Sequence, residues 1–192
     1  MTHESPNGQG HQNAAVPGEV VIRQALPTDI DVLHEFVLAL ARAEGHPETV
    51  SSTADSLQIA LFSERPVAEA VLAEVAGEPV GFALYYFAYS TVVGLPTLHL
   101  EDLYVAETHR RSGIGLRLLK HLAGVAIDRD CGRFEWWVLR TNLAAIRFYD
   151  RIGAHRLDEV DVMRMEGAAI REFADESRSL TRWPLSVKPP GL

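Results

Sequence analysis

Apolar residues first gather at 20–24, a β-branched run that ends before Pro27. Thr28 and Asp31 then form an S/T-x-x-D start signal. Ile30, Leu33, Val37, Leu40 and Ala41 follow at helical spacing, predicting a helix to about Ala43 that Gly45 and Pro47 stop. Ser52 with Asp55 opens a shorter helix through Leu57, Ala60 and Leu61. Residues 70–75 and 79–89 read as strands joined at Gly77-Glu78 into an antiparallel hairpin. A strand over 98–105 precedes a helix over 113–127 with Leu116, Leu119, Leu122, Ala123 and Ala126 facing inward. A strand over 134–139, a helix over 142–151 closed by Gly153 and a last β segment around 160–165 complete the pattern. This order predicts an α/β (α+β, mixed-sheet) fold: a central, mostly antiparallel sheet flanked by helices, with a doubly wound parallel sheet as the alternative.

Residues 1–18 are rich in Gly, Asn, Gln, Pro and His and lack apolar periodicity, so they are expected to form a disordered lead. Residues 19–174 are expected to form one domain, and 175–192 a loosely attached tail after a short helical pattern at 168–173. With 192 residues, 47% hydrophobic and 23% charged, the chain suits a single domain that buries about two-thirds of its unfolded surface. Its net charge of −8 argues against a diffuse grip on nucleic-acid phosphates, so an anionic ligand must be held by local donors. A lone cysteine, Cys131, allows no internal disulfide; with no signal peptide in view, this favours a cytoplasmic setting. No apolar run reaches the roughly 18 residues of a membrane span. The 8 histidines are scattered and form no H-E-x-x-H pattern, so no metal is expected.

The most informative stretch is Leu100-Glu101-Asp102-Leu103-Tyr104-Val105, then a short turn, then Arg110-Arg111-Ser112-Gly113-Ile114-Gly115-Leu116. A strand here feeds a glycine-rich loop that opens a helix. Amides at a helix start lack intrahelical partners and add to the positive end of the dipole, which attracts phosphate. Gly113 and Gly115 leave the backbone approachable, while Arg110, Arg111 and Arg117 concentrate positive charge. The loop lies late in the chain and its spacing is R-x-x-G-x-G, unlike the early G-x-G-x-x-G of a dinucleotide site. G-K-[ST] is absent.

With Arg110, Gly113 and Gly115 on the signature Q/R-x-x-G-x-G/A, the chain resembles the GNAT N-acetyltransferases over about residues 20–165. Within them it is most similar to the diamine (spermidine/spermine) and thialysine acetyltransferases and their bacterial relatives. This likeness runs through Gly81-Phe82-Ala83-Leu84-Tyr85-Tyr86-Phe87, residues 100–105, the glycine loop and the stretch from Ala145 to Ala154. The resemblance implies the GNAT fold, acetyl-CoA as cosubstrate and a V-shaped opening between the 98–105 and 134–139 strands. It also implies that Leu103, Tyr104 and Val105 contact the acetyl and pantetheine through their main chain. Arg110 belongs to the signature, Arg111, Ser112, Gly113, Ile114, Gly115 and Leu116 cradle the pyrophosphate, and Asn142 and Ala145 touch the pantetheine arm. Where relatives commonly carry Trp-Asn, this chain has Thr141-Asn142. A homodimer is likewise implied.

Acetyl transfer to an amine needs a neutral nitrogen, a stabilised oxyanion and a proton for the departing thiolate. An alkyl amine of pKa about 10 arrives protonated at neutral pH, and Glu101, on the strand flanking the opening, is the candidate base, acting directly or through water. Tyr149 matches the family position that protonates the sulfur and also borders the cosubstrate. The amide of Tyr104 or of Leu103 is the candidate oxyanion donor. Strand alternation sends Glu101 and Asp102 to opposite faces, so only one of them should meet the amine. Trp136 and Trp137 should divide between the two faces in the same way.

Glu44 aligns with a family position that contacts polyamine, although Ala43 replaces the usual neighbouring aromatic. Glu44, Glu101 and Asp102 are therefore the candidate substrate contacts. The expected reaction is direct attack, in a ternary complex, by the primary amine of a small cation: a diamine, polyamine or lysine-like amine. A protein N-terminal acetyltransferase and a non-catalytic acyl-CoA-binding module are the alternatives.

Overall fold

A computed structural model of the chain describes residues 18–180. Residues up to Leu139 form one compact unit and those from Arg140 a second.

The first unit is built on five strands, β1 (Val20–Gln24), β2 (Glu69–Val75), β3 (Glu78–Ser90), β4 (Leu95–Val105) and β5 (Arg133–Trp136), ordered β1-β2-β3-β4-β5. Every neighbouring pair is antiparallel except β4 with β5. This is the mixed, mostly antiparallel sheet that the residue pattern predicts. Leu72, Phe82, Leu84 and Tyr104 turn one face toward α1 (Ile30–Glu44) and α2 (Ala54–Phe62), where they pack with Leu33, Leu57 and Leu61. Phe36 of α1 lies 5.9 Å from the Phe82 ring and 5.4 Å from that of Tyr104. The alternate positions, Val71, Ala73, Ala83, Tyr85 and Leu98, lie on the other face with α3 (Ile114–Asp128), which buries Ile114, Leu118, Leu119 and Leu122. Each fully buried Val, Leu, Ile or Phe side chain among them contributes roughly 1.5–3 kcal/mol by leaving water.

Element ends depart from the expected signals for local reasons. Pro27–Asp29 forms a 3-10 turn ahead of α1, so Asp29 rather than Thr28 precedes that helix. Its carboxylate accepts from the Leu26 amide at 2.7 Å and from the Arg23 guanidinium at 2.6 and 3.0 Å, which holds it below the usual carboxylate range. Thr53, not Ser52, caps α2, because its hydroxyl reaches the Ser56 amide while Ser56 reaches back to the Thr53 amide. The β2–β3 turn uses Ala76 and Gly77, both at positive φ, since Glu78 already pairs with Val75.

In the second unit Asn142 caps α4 (Leu143–Arg151), its side-chain oxygen accepting from the Ala145 amide at 3.1 Å. Gly153 then takes positive φ beyond the helix end. Residues 160–165 do not form the expected strand. Val160, Val162, Met163 and Met165 are exposed, and alternation alone makes no strand without a neighbouring ladder. α5 (Ala168–Leu180) outruns the helical pattern at 168–173, so the start of the expected tail is helical. The expected lead at 1–17 and the tail from 181 lie outside the described residues.

Candidate active site

The β3–β4 ladder changes register in its middle: Leu84 pairs with Asp102, but Tyr85 pairs with Leu100. Glu101 is the extra residue of a β-bulge. Above it Asp102 and Tyr104 share a face with Leu84 and Phe82; below it His99, not Leu100, stays on that face, opposite Tyr86. The bulge corrects the expectation that alternation separates Glu101 from Asp102. Burial, followed by the charges of Glu101 and Glu44, lifts the Asp102 carboxyl to about 6. The expected substrate contacts Glu44, Glu101 and Asp102 thus occupy one electrostatic neighbourhood.

Beside them the sheet opens. β4 pairs with β5 only over Thr97–Leu100, against Arg133–Trp136, whereas its ladder with β3 continues to Val105. Among the described residues no ladder continues between β4 and β5 above Leu100 and Trp136, so the main chain of Leu103, Tyr104 and Val105 runs past the end of the parallel pairing. β5 stops at Trp136, short of the expected 139.

Beyond Val105 a 3-10 turn, Glu107–His109, leads into the loop, and the Ser112 hydroxyl donates to the His109 carbonyl. Arg111 and Gly113 both take positive φ, at 63° and 85°, and Gly113 caps α3. A Cβ on Gly113 would meet nothing within 4 Å, and one on Gly115 only Val105 Cγ2, at 3.9 Å. The start of a 15-residue helix with no acidic residue in its first turn is therefore approachable from outside. Arg111 and Ser112 are exposed, Leu116 is half-buried, and the side chain of Ile114 is buried, leaving its main chain to meet a ligand. Arg110 is committed elsewhere: Nε donates to the Val105 carbonyl at 3.1 Å, one terminal nitrogen meets Glu107 at 3.4 Å, and the guanidinium lies over Tyr104. A cavity of about 510 Å³ opens between Ala39, Arg42 and Ala43 of α1, Tyr104 of β4, and Glu107 and Arg110 of this connection.

Asn142, Ala145 and Tyr149 belong to the second unit. Asn142 and Ala145 form the cap described above. Tyr149, two turns along α4, is half-buried with its ring 5.4 Å from that of Phe148, and its carbonyl accepts from the Ile152 and Ala154 amides.

Sequence reasoning overlooked a cluster at the other side of the bulge. Tyr86 stacks on His99 at 4.8 Å, Trp137 stands edge-on to the same ring at 5.0 Å, and His99 Nε2 lies 4.0 Å from Glu101 Oε2. Only the pairing of Tyr86 with His99 and of His99 with Glu135 reveals it, and no single segment carries that signal.

The comparisons with known proteins agree with this architecture. Residues 34–154 match the acetyltransferase (GNAT) family. The chain belongs to the GNAT family. It is 36% identical over 166 residues to a thialysine N-epsilon-acetyltransferase of Sus scrofa, covering 81% of this chain and 97% of that one. It is 31% identical over 169 residues to the spermidine/spermine N(1)-acetyltransferase-like protein 1 of Homo sapiens, covering 84% of this chain and 24% of that protein. Among solved structures, an integron cassette protein from the mobile metagenome of V. cholerae superposes with a TM-score of 0.68 at 29% identity, over 81% of this chain and 97% of the other. This GNAT protein is an acetyltransferase, of a family that takes acetyl-CoA as cosubstrate. Among the described residues no group of three or more His, Cys, Asp or Glu is placed to hold a metal ion, and no helix is long and apolar enough to cross a membrane.

Proposed function

We propose that the protein transfers the acetyl group of acetyl-CoA to a primary amine of a small cationic molecule, by direct attack in a ternary complex. The observation that carries this reading is the half-buried Asp102 carboxyl, lifted to about 6 by burial and by the charges of Glu101 and Glu44, on the stretch of β4 beyond the end of its pairing with β5 at Leu100. Negative charge there draws a cation, and the amine substrates named for the thialysine and spermidine/spermine relatives are of that kind.

The residues present fit the cosubstrate: the open Cβ positions of Gly113 and Gly115 leave the first turn of α3 free to receive a diphosphate. Acetyl-CoA, when bound, supplies the activated acetyl thioester. Arg111, Ser112, Gly113, Ile114, Gly115 and Leu116 hold its phosphates through backbone amides and local charge, and Leu103, Tyr104 and Val105 align its arm. Asn142 and Ala145 meet the same arm. An amide at Leu103 or Tyr104 donates to the thioester carbonyl. Glu101 takes the ammonium proton, directly or through water, while the Asp102 carboxyl, at about 6 and so largely ionised at pH 7, adds to the negative charge that holds the cation. Tyr149 returns a proton to the leaving sulfur. The resemblance also supports a homodimer, working in the cytoplasm.

Thiol release from acetyl-CoA, followed with a panel of diamines, lysine analogues and aminoglycosides, tests the reading. Amine-dependent release supports it. Tight CoA binding without such release would leave only an acyl-CoA-binding module.

A further inference from the structure

The cavity between α1 and the β4–α3 connection carries a surplus positive charge. Its lining brings together two guanidinium groups, of Arg42 and Arg110, and one carboxylate, of Glu107. Arg110 already meets that carboxylate at 3.4 Å and the Val105 carbonyl at 3.1 Å. The described guanidinium hydrogen bonds belong to Arg23, Arg110, Arg129 and Arg164, and no ion pair among the described residues takes Arg42. We propose that Arg42 holds a carboxylate of the acceptor, so that the amine acetylated by this protein is one that also carries an acid group. The assignment rests on the amine-acetylating reading above and adds a feature that the amine must have.

The structural uses of an arginine at this position leave its donors free. The last carbonyls of α1 are met by backbone amides, since Gly45 donates to Arg42 at 3.2 Å and His46 to Ala41 at 3.0 Å. The α1 dipole favours a cation in this turn, yet that field engages none of the five guanidinium N–H groups. The neighbours three and four positions away along the helix, Leu38, Ala39, Gly45 and His46, include no carboxylate. Ala39 and Ala43 lie one turn apart on the lining, and their short side chains leave the cavity at about 510 Å³. A planar guanidinium beside such a space is matched in shape and charge by a carboxylate, which it can grip through two parallel hydrogen bonds.

The cavity also lies beside the charges that draw the amine. Asp102 and Tyr104 share one face of β4, and Tyr104 lines the cavity. Those two residues stand about 6.6 Å apart along the strand, at roughly 3.3 Å per residue. α1 divides its charges in the same sense: Arg42 lines the cavity, whereas Glu44, about 200° further round the helix, acts on Asp102. An acceptor with its reacting ammonium at one end and a carboxylate several carbons away therefore meets opposite charge at both ends. A plain diamine leaves Arg42 unanswered.

Lysine, lysinamide and 1,5-diaminopentane test this, because they share the reacting amine and differ at the acid group, which is charged, neutralised or absent. Thiol release from acetyl-CoA is followed with each, on the full chain. The wild type is expected to favour lysine over both others at least ten-fold in kcat/KM. Arg42→Gln should cut that preference about ten-fold by raising KM for lysine, and Arg42→Lys, which restores a charge without the fork, should recover part of it. Ala43→Phe, which narrows the cavity, should cost lysine more than the diamine. A wild type that does not favour lysine, or a preference unchanged in Arg42→Gln and Ala43→Phe, overturns the carboxylate site. Should no amine release thiol, the acetyl-transfer reading fails separately, and calorimetry decides. Lysine binding weakened about ten-fold by Arg42→Gln then upholds the site, and equal binding of lysine and lysinamide, or no binding of lysine, removes it.

Discussion

Leu84 lies opposite Asp102 in the β3–β4 ladder, and the bulge directly beneath that pair leaves Glu101 without a cross-strand partner. The consequence is electrostatic. An unbroken strand would point successive carboxylates to opposite faces, where each could ionise at little cost to the other. The bulge instead sets Asp102, half-buried, within the fields of Glu101 and Glu44. A bulge that leaves one half-buried carboxyl in the fields of two others has the character of a site shaped for a cation rather than for stability.

Asp102→Asn should therefore stabilise the protein at neutral pH while impairing transfer. The carboxyl stands at about 6 in the fold against an ordinary 3.8, so folding favours its protonated form. Its relative stabilisation is complete below about 3.8 and is lost as pH rises through 6, at a cost of up to about 3 kcal/mol at pH 7. The neutral amide escapes that cost. Denaturant midpoints should rise in the variant at pH 7 and match the wild type at pH 4. Equal midpoints at both pH values would mean that Asp102 ionises freely in the fold.

Gly81→Ala should be costly for a different reason. A Cβ there would lie 2.6 Å from the Tyr104 carbonyl oxygen and 3.3 Å from Val105 Cα, both backbone atoms of the strand that carries the site. Neither can move without disturbing the ladder, so a loss of about 2–3 kcal/mol is expected. Gly124→Ala is the control: its Cβ meets nothing within 4 Å in the interior of α3, and it should stabilise by up to about 1 kcal/mol. Urea unfolding of the two variants checks both signs.

Tyr149→Phe tests the proposed return of a proton to sulfur. The substitution keeps the ring beside Phe148 and deletes only the hydroxyl. If the phenol is the general acid, kcat should fall about 10²-fold or more with CoA affinity little changed. Undiminished turnover would remove Tyr149 from the reaction.

What could be read from the residues followed from strictly local physics. Ile30, Leu33, Val37 and Leu40 declare α1 because one helix face must be apolar, and Gly45 and Gly113 mark helix ends because both stand at positive φ. The glycine-rich loop that opens α3 was legible because its glycines and arginines are contiguous. The bulge at Glu101 was not, since a period-two reading assumes an unbroken ladder. Val160 and Val162 alternate like a strand, but alternation names no partner strand. The contact of His99 with Trp137 depends on the parallel pairing of β4 with β5, a register set by tertiary structure.

Gly115→Leu puts the loop to the most direct trial. Gly113 is a poor choice because its φ of 85° would strain any side chain, mixing a folding defect with a binding one. Gly115 is helical, and a side chain there points into space bounded only by Val105 Cγ2 at 3.9 Å. Leucine is a better helix former than glycine, so the fold should hold or gain up to about 1 kcal/mol. The added side chain would occupy the approach to the α3 amides, and displacing a diphosphate from those donors should weaken CoA binding at least ten-fold. Melting and CoA titration on one preparation separate the two effects. Unaltered CoA affinity in a protein that melts no lower than the wild type would show that the diphosphate lies elsewhere.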